Sequence, residues 1–213
     1  MAIQVQGFSG DSVEVDDKRA FRTIIVNRGN GHSVAAVTGT MAAGLAATSG
    51  IFAMRLNPGA SVSAFIERIR IQFTTIAAFT TPVTAGRALW LFRGAGASAT
   101  GGTVIAEARP KHSVSASSQF DASNGGDMRV STTIGLGLGG ISFEPSALKY
   151  MSIVHAGTAG AHYETTWEFA STENAPLVLD PGQLIVLGNP TAMGAGGTWQ
   201  MAINVDWHEA SVF

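Results

Sequence analysis

The sequence predicts an all-β protein, with a single domain folded as a β-sandwich or a barrel. Three observations lead to this fold class. Short segments alternate apolar and polar residues with a period of two, glycine and proline turn signals separate them, and no segment has the apolar spacing of a helix of three turns. The sequence also lacks a strong internal repeat, which disfavours a propeller or a β-helix.

The clearest strand is predicted near the C-terminus, in TWQMAINVDW (198–207). Every second residue of this segment is large and apolar, which is typical of a strand with one buried face and one wet face. HYETTWEF (162–169) and RIRIQF (68–73) show the same alternation, and IFAMRL (51–56) shows it more weakly. His208-Glu209 follows the last strand, and we predict a solvent-exposed end there.

Other segments predict strands with less alternation. ALWLF (88–92) and YMSIV (150–154) are apolar enough for buried strands, whereas FRTIIV (21–26) is a weaker candidate. The stretch 106–140 has little patterning and contains serine-rich and glycine-rich runs. We therefore predict a long surface loop between strands in that region.

LVLDPGQLIVL (177–187) contains two short apolar runs around a tight turn. Pro181 fixes φ at the second turn position and Gly182 accepts a positive φ at the third. The runs are too short for helices and lack polar alternation, so both strands can be buried on two faces. We predict a hairpin that lies inside the sandwich or at a seam between subunits.

Composition excludes several classes of protein. The chain has 213 residues, which favours one domain, and it has no cysteine, which rules out disulfides and thiolate chemistry. Its formal net charge is -2 and only 13% of its residues are charged, against about 25% in a typical domain. Without a basic run, a nucleic-acid partner is not expected. A surface so poor in charge suits burial against copies of the chain or against another protein.

The N-terminal segment does not predict a signal peptide, because it has no basic region followed by an apolar one. Residues 33–54 are uncharged and long enough to span a bilayer, but alanine, glycine, serine and threonine dominate them. We predict a strand, a loop of small residues and a second strand there, and no membrane partner.

Catalytic and cofactor motifs are weak. Gly135, Gly137 and Gly140 have G-x-G-x-x-G spacing, but the residues after them are poor helix formers, so no cofactor is predicted. Ser146 and Lys149 match S-x-x-K without the partner motifs of that chemistry. The sequence does not predict an enzyme.

The histidines and tryptophans each leave an alternative open. If 150–154 and 162–169 formed a hairpin, His155, His162 and Glu164 could approach one another, although an exposed polar face is the commoner outcome and no metal is predicted. Trp167, Trp199 and Trp207 fall on apolar faces and predict core packing, while a sugar-stacking platform is the alternative.

Three segments together resemble a family of small virion proteins of tailed bacteriophages. They are the opening MAIQVQG, TGTMAAGLAATSGIFAMRL (38–56) and ENAPLVLDPGQLIVLGNPTAMGAGGTWQMAINVDWHE (173–209). The resemblance covers about the first quarter and the last fifth of the chain. It implies a jelly-roll sandwich that decorates or cements a capsid, often as a trimer, and it brings no catalytic residues. The absence of a long predicted helix argues against the major capsid protein itself.

The expected protein is therefore a non-enzymatic capsid decoration protein, made in the host cytoplasm and located on the capsid surface of the virion. Its expected partners are the major capsid protein and two further copies of itself. Residues 1–20 are predicted as an N-terminal arm and 21–213 as the sandwich. The alternating arm can add a strand to a neighbour's sheet edge. The predicted interface residues are Ile3, Val5, Phe8, Leu184 and Val186.

A different class of function remains open, namely a receptor-binding or carbohydrate-binding module of a phage tail. A tryptophan on a wet face, rather than on the core face, would favour this alternative.

Overall fold

A computed structural model describes most of the chain. The described residues are 5–6, 12–15, 21–23, 30–42, 44–79, 87–111, 116–153, 158–169, 176–193 and 196–211. They form these strands: β1 (Val5–Gln6), β2 (Ser12–Val15), β3 (Phe21–Thr23), β4 (Gly31–Val37), β5 (Met41–Ala42), β6 (Ser49–Arg55), β7 (Ser63–Ala77), β8 (Arg87–Gly96), β9 (Thr103–Val104), β10 (Arg109–Pro110), β11 (Asp127–Val130), β12 (Ile141–Phe143), β13 (Lys149–Ile153), β14 (His162–Glu168), β15 (Leu177–Leu179), β16 (Gln183–Asn189) and β17 (Thr198–Ala210).

Two antiparallel sheets pack face to face as a sandwich, which confirms the predicted fold class. The first sheet has the order β10-β4-β17-β7-β14, with β5 paired to β17 and β15 paired to β7. The second has the order β12-β8-β16-β6-β11-β9, with β13 paired to β8. The jelly-roll connectivity stays a prediction.

The centre of the first sheet is the pair of long strands β7 and β17. Their pairing runs from Ser63 with Ala210 to Ala77 with Thr198, with two register shifts. The alternation that predicted both strands is confirmed, because the large apolar side chains point into the core: Ile69, Ile71, Phe73, Trp199, Met201, Ile203, Val205 and Trp207. Burial of each such side chain contributes about 1.5–3 kcal/mol before entropy is counted.

The strands β6 and β16 lie in the middle of the second sheet and are covered on both faces. One face of β16 contributes Ile185 and Leu187 to the main core. The other face packs Leu184 and Val186 into a small second cluster with Ala53, Ala99 and Leu136. Burial on two faces explains why this strand has no polar alternation in the sequence.

The predicted turn in LVLDPGQLIVL is confirmed, but the predicted hairpin is wrong. Gly182 has a φ of 81°, and the amide of Gln183 donates to the carbonyl of Asp180 at 2.9 Å. However, β15 pairs with β7 in the first sheet, whereas β16 pairs with β6 and β8 in the second. The turn therefore passes from one sheet to the other. Its local chemistry is the same in either arrangement, so the sequence could not separate them.

The stretch 106–140 differs in part from the predicted loop. Most of it is irregular, but β11 lies within it and pairs with β6 along Asp127–Val130. Met128 and Val130 are buried while Arg129 is half-buried, an alternation too short to detect in the sequence. A short 3-10 turn, Ala122–Asn124, precedes this strand.

Near the N-terminus, β1, β2 and β3 pair with one another in a separate three-stranded sheet. The predicted boundary between an arm (1–20) and the sandwich (21–213) stays a prediction. Residues 33–54 form strands and a loop, as expected from their composition. Within the described ranges, no helix is long and apolar enough to cross a membrane.

Candidate functional site

Of the five predicted interface residues, the structure describes the side chains of two, Leu184 and Val186. Ile3 and Phe8 lie outside the described residues, and Val5 is described only as part of β1. Leu184 and Val186 are fully buried inside the chain. The segment around Leu136 covers them, through bridges from Leu136 to Gly50 and from Gly137 to Thr100. Neither of these two side chains is therefore part of the exposed surface.

Three of the four tryptophans are core residues, as predicted. Trp199 and Trp207 are fully buried on β17, and Trp167 is buried on β14. Trp199 stacks on Phe73 with ring centres 4.8 Å apart. None of these three indoles can serve as a sugar platform while the sandwich is intact.

The fourth tryptophan belongs to a row of aromatic residues on the outer face of the second sheet. We call Trp90, Phe92, Phe143 and Tyr150 the aromatic stripe. Tyr150 lies opposite Trp90 in the pairing of β13 with β8. The ring centres of Trp90 and Phe92 are 5.7 Å apart, and those of Phe92 and Phe143 are also 5.7 Å apart.

The stripe is open to solvent, in contrast to the buried strands predicted for 88–92 and 150–154. Tyr150 is 70% exposed and Phe143 is 37% exposed, while Trp90 and Phe92 are half-buried. On the same two strands Leu89, Leu91 and Met151 are buried. Both strands thus alternate between core and surface, but the outward residues are aromatic and hide the period-two pattern.

Gly94 makes room for one end of the stripe. It pairs with Phe143 on β12. A Cβ at this position would stand 3.1 Å from Cδ1 of Phe143 and 2.9 Å from the carbonyl oxygen of Ser142. Such distances are shorter than ordinary carbon contacts, so any larger residue would displace the Phe143 ring or the backbone of β12.

A cluster of buried polar and ionisable side chains lies at the C-terminal end of β17. Glu209 is buried, contrary to the exposed end predicted for this position. Its carboxylate accepts hydrogen bonds from Ser118 Oγ at 2.6 Å, from the Gln119 amide at 3.0 Å and from Trp207 Nε1 at 3.0 Å. The strand runs three residues beyond the alternating segment, which carries Glu209 into the sandwich.

Asp121 and His32 complete this buried polar cluster. Asp121 accepts the backbone amides of Ala108 at 2.7 Å and Ser118 at 3.0 Å. Burial raises the pKa of Asp121, although these two hydrogen bonds oppose the rise. Burial also lowers the pKa of His32, against the attraction of Glu209 and Asp121. Nδ1 of His32 has no hydrogen-bond partner among the described residues.

The carboxylates of Glu209 and Asp121 already accept donors of the chain itself, and those donors fasten the loop at 117–121 to the sheet. In the part of the chain that the structure describes, no three His, Cys, Asp or Glu residues are placed to hold a metal ion. We read the cluster as a structural fastening of that loop.

The motifs noted in the sequence have structural explanations. Gly135 and Gly137 flank the segment that covers β16, and the described residues 138–153 after them contain no helix. Lys149 lies with Nζ 5.7 Å from the centre of the Phe169 ring. The hairpin that would have gathered histidines is wrong, because β13 pairs with β8 whereas β14 pairs with β7 in the other sheet. His155 lies outside the described residues.

The outer face of the first sheet has a different chemistry. A shallow depression of about 300 Å³ lies over β4, β17, β7 and β14. Its floor includes Ala35 and Ala202, and Arg70 and Glu164 line it as exposed charges. The two outer faces therefore differ. The face of the first sheet carries small side chains with charged residues beside them, whereas the face of the second sheet carries aromatic side chains.

Comparison with known proteins adds no relative. No protein-family model matches the chain, and no curated protein is significantly similar to it. The functional argument therefore rests on the fold and its surfaces.

Sequence reasoning missed the aromatic stripe, although one signal was present. Within ALWLF, Trp90 and Phe92 are two residues apart and so lie on the same face of the strand, and the two leucines lie on the other face.

Proposed function

We propose that this chain is a non-enzymatic structural protein of a tailed-phage virion. It decorates or cements the head by binding the major capsid protein, and it does so as a homotrimer on the capsid surface after synthesis in the host cytoplasm. The observation that carries the proposal is the exposure of large apolar side chains on a chain with few charges. Val37 is 59% exposed and Ile134 is 71% exposed, and Tyr150 adds a third such site. Exposed apolar groups of this kind favour protein contacts.

The segments that resemble phage virion proteins support the proposal through their place in the fold. Residues 38–56 contribute β5 and β6, and residues 173–209 contribute β15, β16 and most of β17. β6 pairs with β16 in the second sheet, and β5 pairs with β17 in the first. The family-like segments are therefore neighbours at the centre of the sandwich, where a shared framework would be retained while the outer surfaces vary.

The N-terminal arm supplies a second kind of contact in this proposal. Its sequence alternates Ile3, Gln4, Val5 and Gln6, which suits an added strand at the sheet edge of a neighbouring subunit. Main-chain hydrogen bonds would supply affinity, and Ile3, Val5 and Phe8 would supply apolar contacts. Each copy would then tie adjacent capsid subunits together without any chemical step.

Co-sedimentation tests this function directly. The purified full-length chain is mixed with heads that lack it, assembled from the major capsid protein of the phage that encodes it, and its mass in solution is measured by light scattering. We expect saturable binding to heads and a trimeric mass. Deletion of residues 1–10 should weaken binding by at least about tenfold if the arm adds a strand.

A matched variant separates the arm from the rest of the surface. Replacement of Ile3, Val5 and Phe8 by serine keeps the chain length and removes the apolar contacts without adding charge, so it should reproduce most of the effect of the deletion. Glu107→Ala, at an exposed position, serves as the neutral control. Heads that fail to retain the intact chain at any concentration would rule out the decoration role.

A further inference from the structure

We propose that the aromatic stripe binds a neutral carbohydrate chain, through stacking of Trp90 and Tyr150 on sugar rings and hydrogen bonds from Trp90 Nε1 and Tyr150 Oη to hydroxyl groups. This inference goes beyond the decoration role and does not depend on it. It rests on the geometry of this face and, among its described side chains, on the absence of outward charges and of partners for two hydrogen-bond donors.

The geometry gives the ligand an extended path. Trp90 and Phe92 lie along β8, and Tyr150 on β13 and Phe143 on β12 lie beside them on the same edge of that strand. Consecutive rings along Trp90, Phe92 and Phe143 are tilted by 43° and 58°, so the surface turns with the sheet and is not one flat plate. Because the rings are tilted relative to one another, each can stack on a different sugar of an oligosaccharide. A single flat ligand could stack on only one of them.

No described side chain covers the indole of Trp90 on the side that faces β16. Its cross-strand neighbour on β16 is Gly188, which has no side chain to cover the indole. On the other side it faces Tyr150, whose ring is mostly in solvent. The indole is therefore presented at the surface, in contrast to the buried indoles of Trp199 and Trp207.

The charge of the face selects the class of ligand. Two cations on these strands have described side chains, Arg93 and Lys149. Both lie at register positions beside the core residues Ile185 and Leu91, on the face opposite to the stripe. Arg93 is held by Glu144 at 2.6 Å and by the carbonyl of Val178. No described charged side chain of β8, β12 or β13 faces outward with the rings. An ionic polymer would therefore find no opposite charge to bind here, and a neutral polymer would not have to desolvate a charged side chain.

The polar atoms of the stripe have no partner among the residues that the structure describes. Among the described residues, neither Nε1 of Trp90 nor Oη of Tyr150 has a hydrogen-bond partner. Aromatic rings with a free N–H or O–H are suited to surfaces where one part of the ligand is apolar and another is polar. A sugar has this character, with C–H groups on its faces and hydroxyl groups around its edge.

The test uses the full-length chain and a set of neutral hexasaccharides, namely maltohexaose, cellohexaose and chitohexaose, after a screen on a glycan array. Trp90 is the one described tryptophan that is not buried, so a change in tryptophan emission reports binding at the stripe. We expect saturable binding of at least one hexasaccharide. Trp90→Ala and Tyr150→Ala should each weaken it by at least about tenfold.

Two further variants guard against loss of folding. Tyr150→Phe keeps the ring and removes only the hydroxyl, so it should weaken binding by a smaller factor while leaving the unfolding transition unchanged. Ile134→Ala alters an exposed apolar residue away from the stripe and should leave sugar binding intact. Calorimetry replaces fluorescence for Trp90→Ala.

Two results would overturn the inference. One is the absence of binding to every neutral glycan at millimolar concentration. The other is a loss of head binding or of self-association in Trp90→Ala and Tyr150→Ala with no sugar effect, which would make the stripe a protein interface. Head co-sedimentation and glycan titration are independent measurements, so failure of one proposal is distinguishable from failure of the other.

Discussion

The two ends of β17 carry the same residue in the same orientation, yet they are stabilised differently. Trp199 and Trp207 are both fully buried on the core face of this strand. At one end Trp199 stacks on Phe73, and its Nε1 has no hydrogen-bond partner among the described residues. At the other end Trp207 donates to Glu209 and contacts Phe120 edge to face, with ring centres 5.2 Å apart.

This difference shows that equal burial does not mean equal energetic roles. Among the described residues the Trp199 side chain is held by packing, and Oγ1 of Thr75 on the neighbouring strand likewise has no hydrogen-bond partner. The Trp207 end is a hydrogen-bonded network that fastens a loop. Truncation of an apolar side chain at the first end costs the free energy of transfer and of the cavity that remains, whereas removal of the acceptor at the second leaves buried donors unsatisfied.

Removal of the Glu209 carboxylate should have the largest effect. Glu209→Ala leaves Ser118 Oγ, the Gln119 amide and Trp207 Nε1 without their acceptor, and each orphaned donor costs about 1–3 kcal/mol. We expect the free energy of unfolding to fall by about 3 kcal/mol or more, as measured by urea denaturation at neutral pH.

The exposed Glu107 provides the control for this substitution, since Glu107→Ala should change stability by less than about 0.5 kcal/mol. Amide hydrogen exchange adds a local readout, because the amides of Gln119 and Phe120 should lose protection in Glu209→Ala. Unchanged protection there would mean that the loop is held by Asp121 and by packing, and not by Glu209.

The matched substitutions Trp199→Phe and Trp207→Phe isolate the hydrogen bond. Both remove a similar volume from the core, so their cavity costs should be comparable. Only Trp207→Phe removes a donor to a buried carboxylate, whereas Trp199→Phe removes an N–H that was already unpaired among the described residues. We expect Trp207→Phe to be more destabilising by about 1–2 kcal/mol in the same denaturation assay. Equal losses would show that packing decides both ends.

Periodicity predicted the architecture well because it reports burial directly. The core faces of β7 and β17 follow from the alternation of their apolar residues, and the turn at Gly182 follows from its Pro-Gly pair. The partners of the strands could not be derived in this way. The strands on either side of Asp180-Pro181-Gly182 belong to different sheets, and nothing in their composition distinguishes an arch from a hairpin.

The candidate surfaces were harder to predict than the fold, for a physical reason. An outward aromatic residue and an inward one have the same hydrophobicity, so Trp90 and Tyr150 looked like core residues. Conversely, Glu209 looked solvent-exposed, since a carboxylate is rarely buried unless it is paired. Its three donors come from Trp207 and from a loop about ninety residues away in sequence, a distance over which local patterns carry no information.

The pH dependence of the Trp207 end should be the smallest of these effects. Burial holds the pKa of His32 below its ordinary value, and the groups that face it are Glu209 on β17, Asp121 in the loop and Lys111 after β10. As the pH falls through about 6.5, the unfolded chain binds a proton before the folded chain does, so the protein loses stability. Asp121 acts in the opposite direction at lower pH, because its raised pKa lets the folded chain take up a proton first.

His32→Gln isolates the first of these contributions. The variant and the native chain are compared by urea denaturation at about pH 7.5 and about pH 5.5, on either side of the ordinary histidine pKa. We expect the variant to lose less stability than the native chain over this interval, whatever its stability at the higher pH. The other four histidines are present in both proteins, so the difference in slope belongs to His32. Parallel slopes would mean that the folded and unfolded chains take up the proton of His32 equally over this range, so that burial does not lower its pKa.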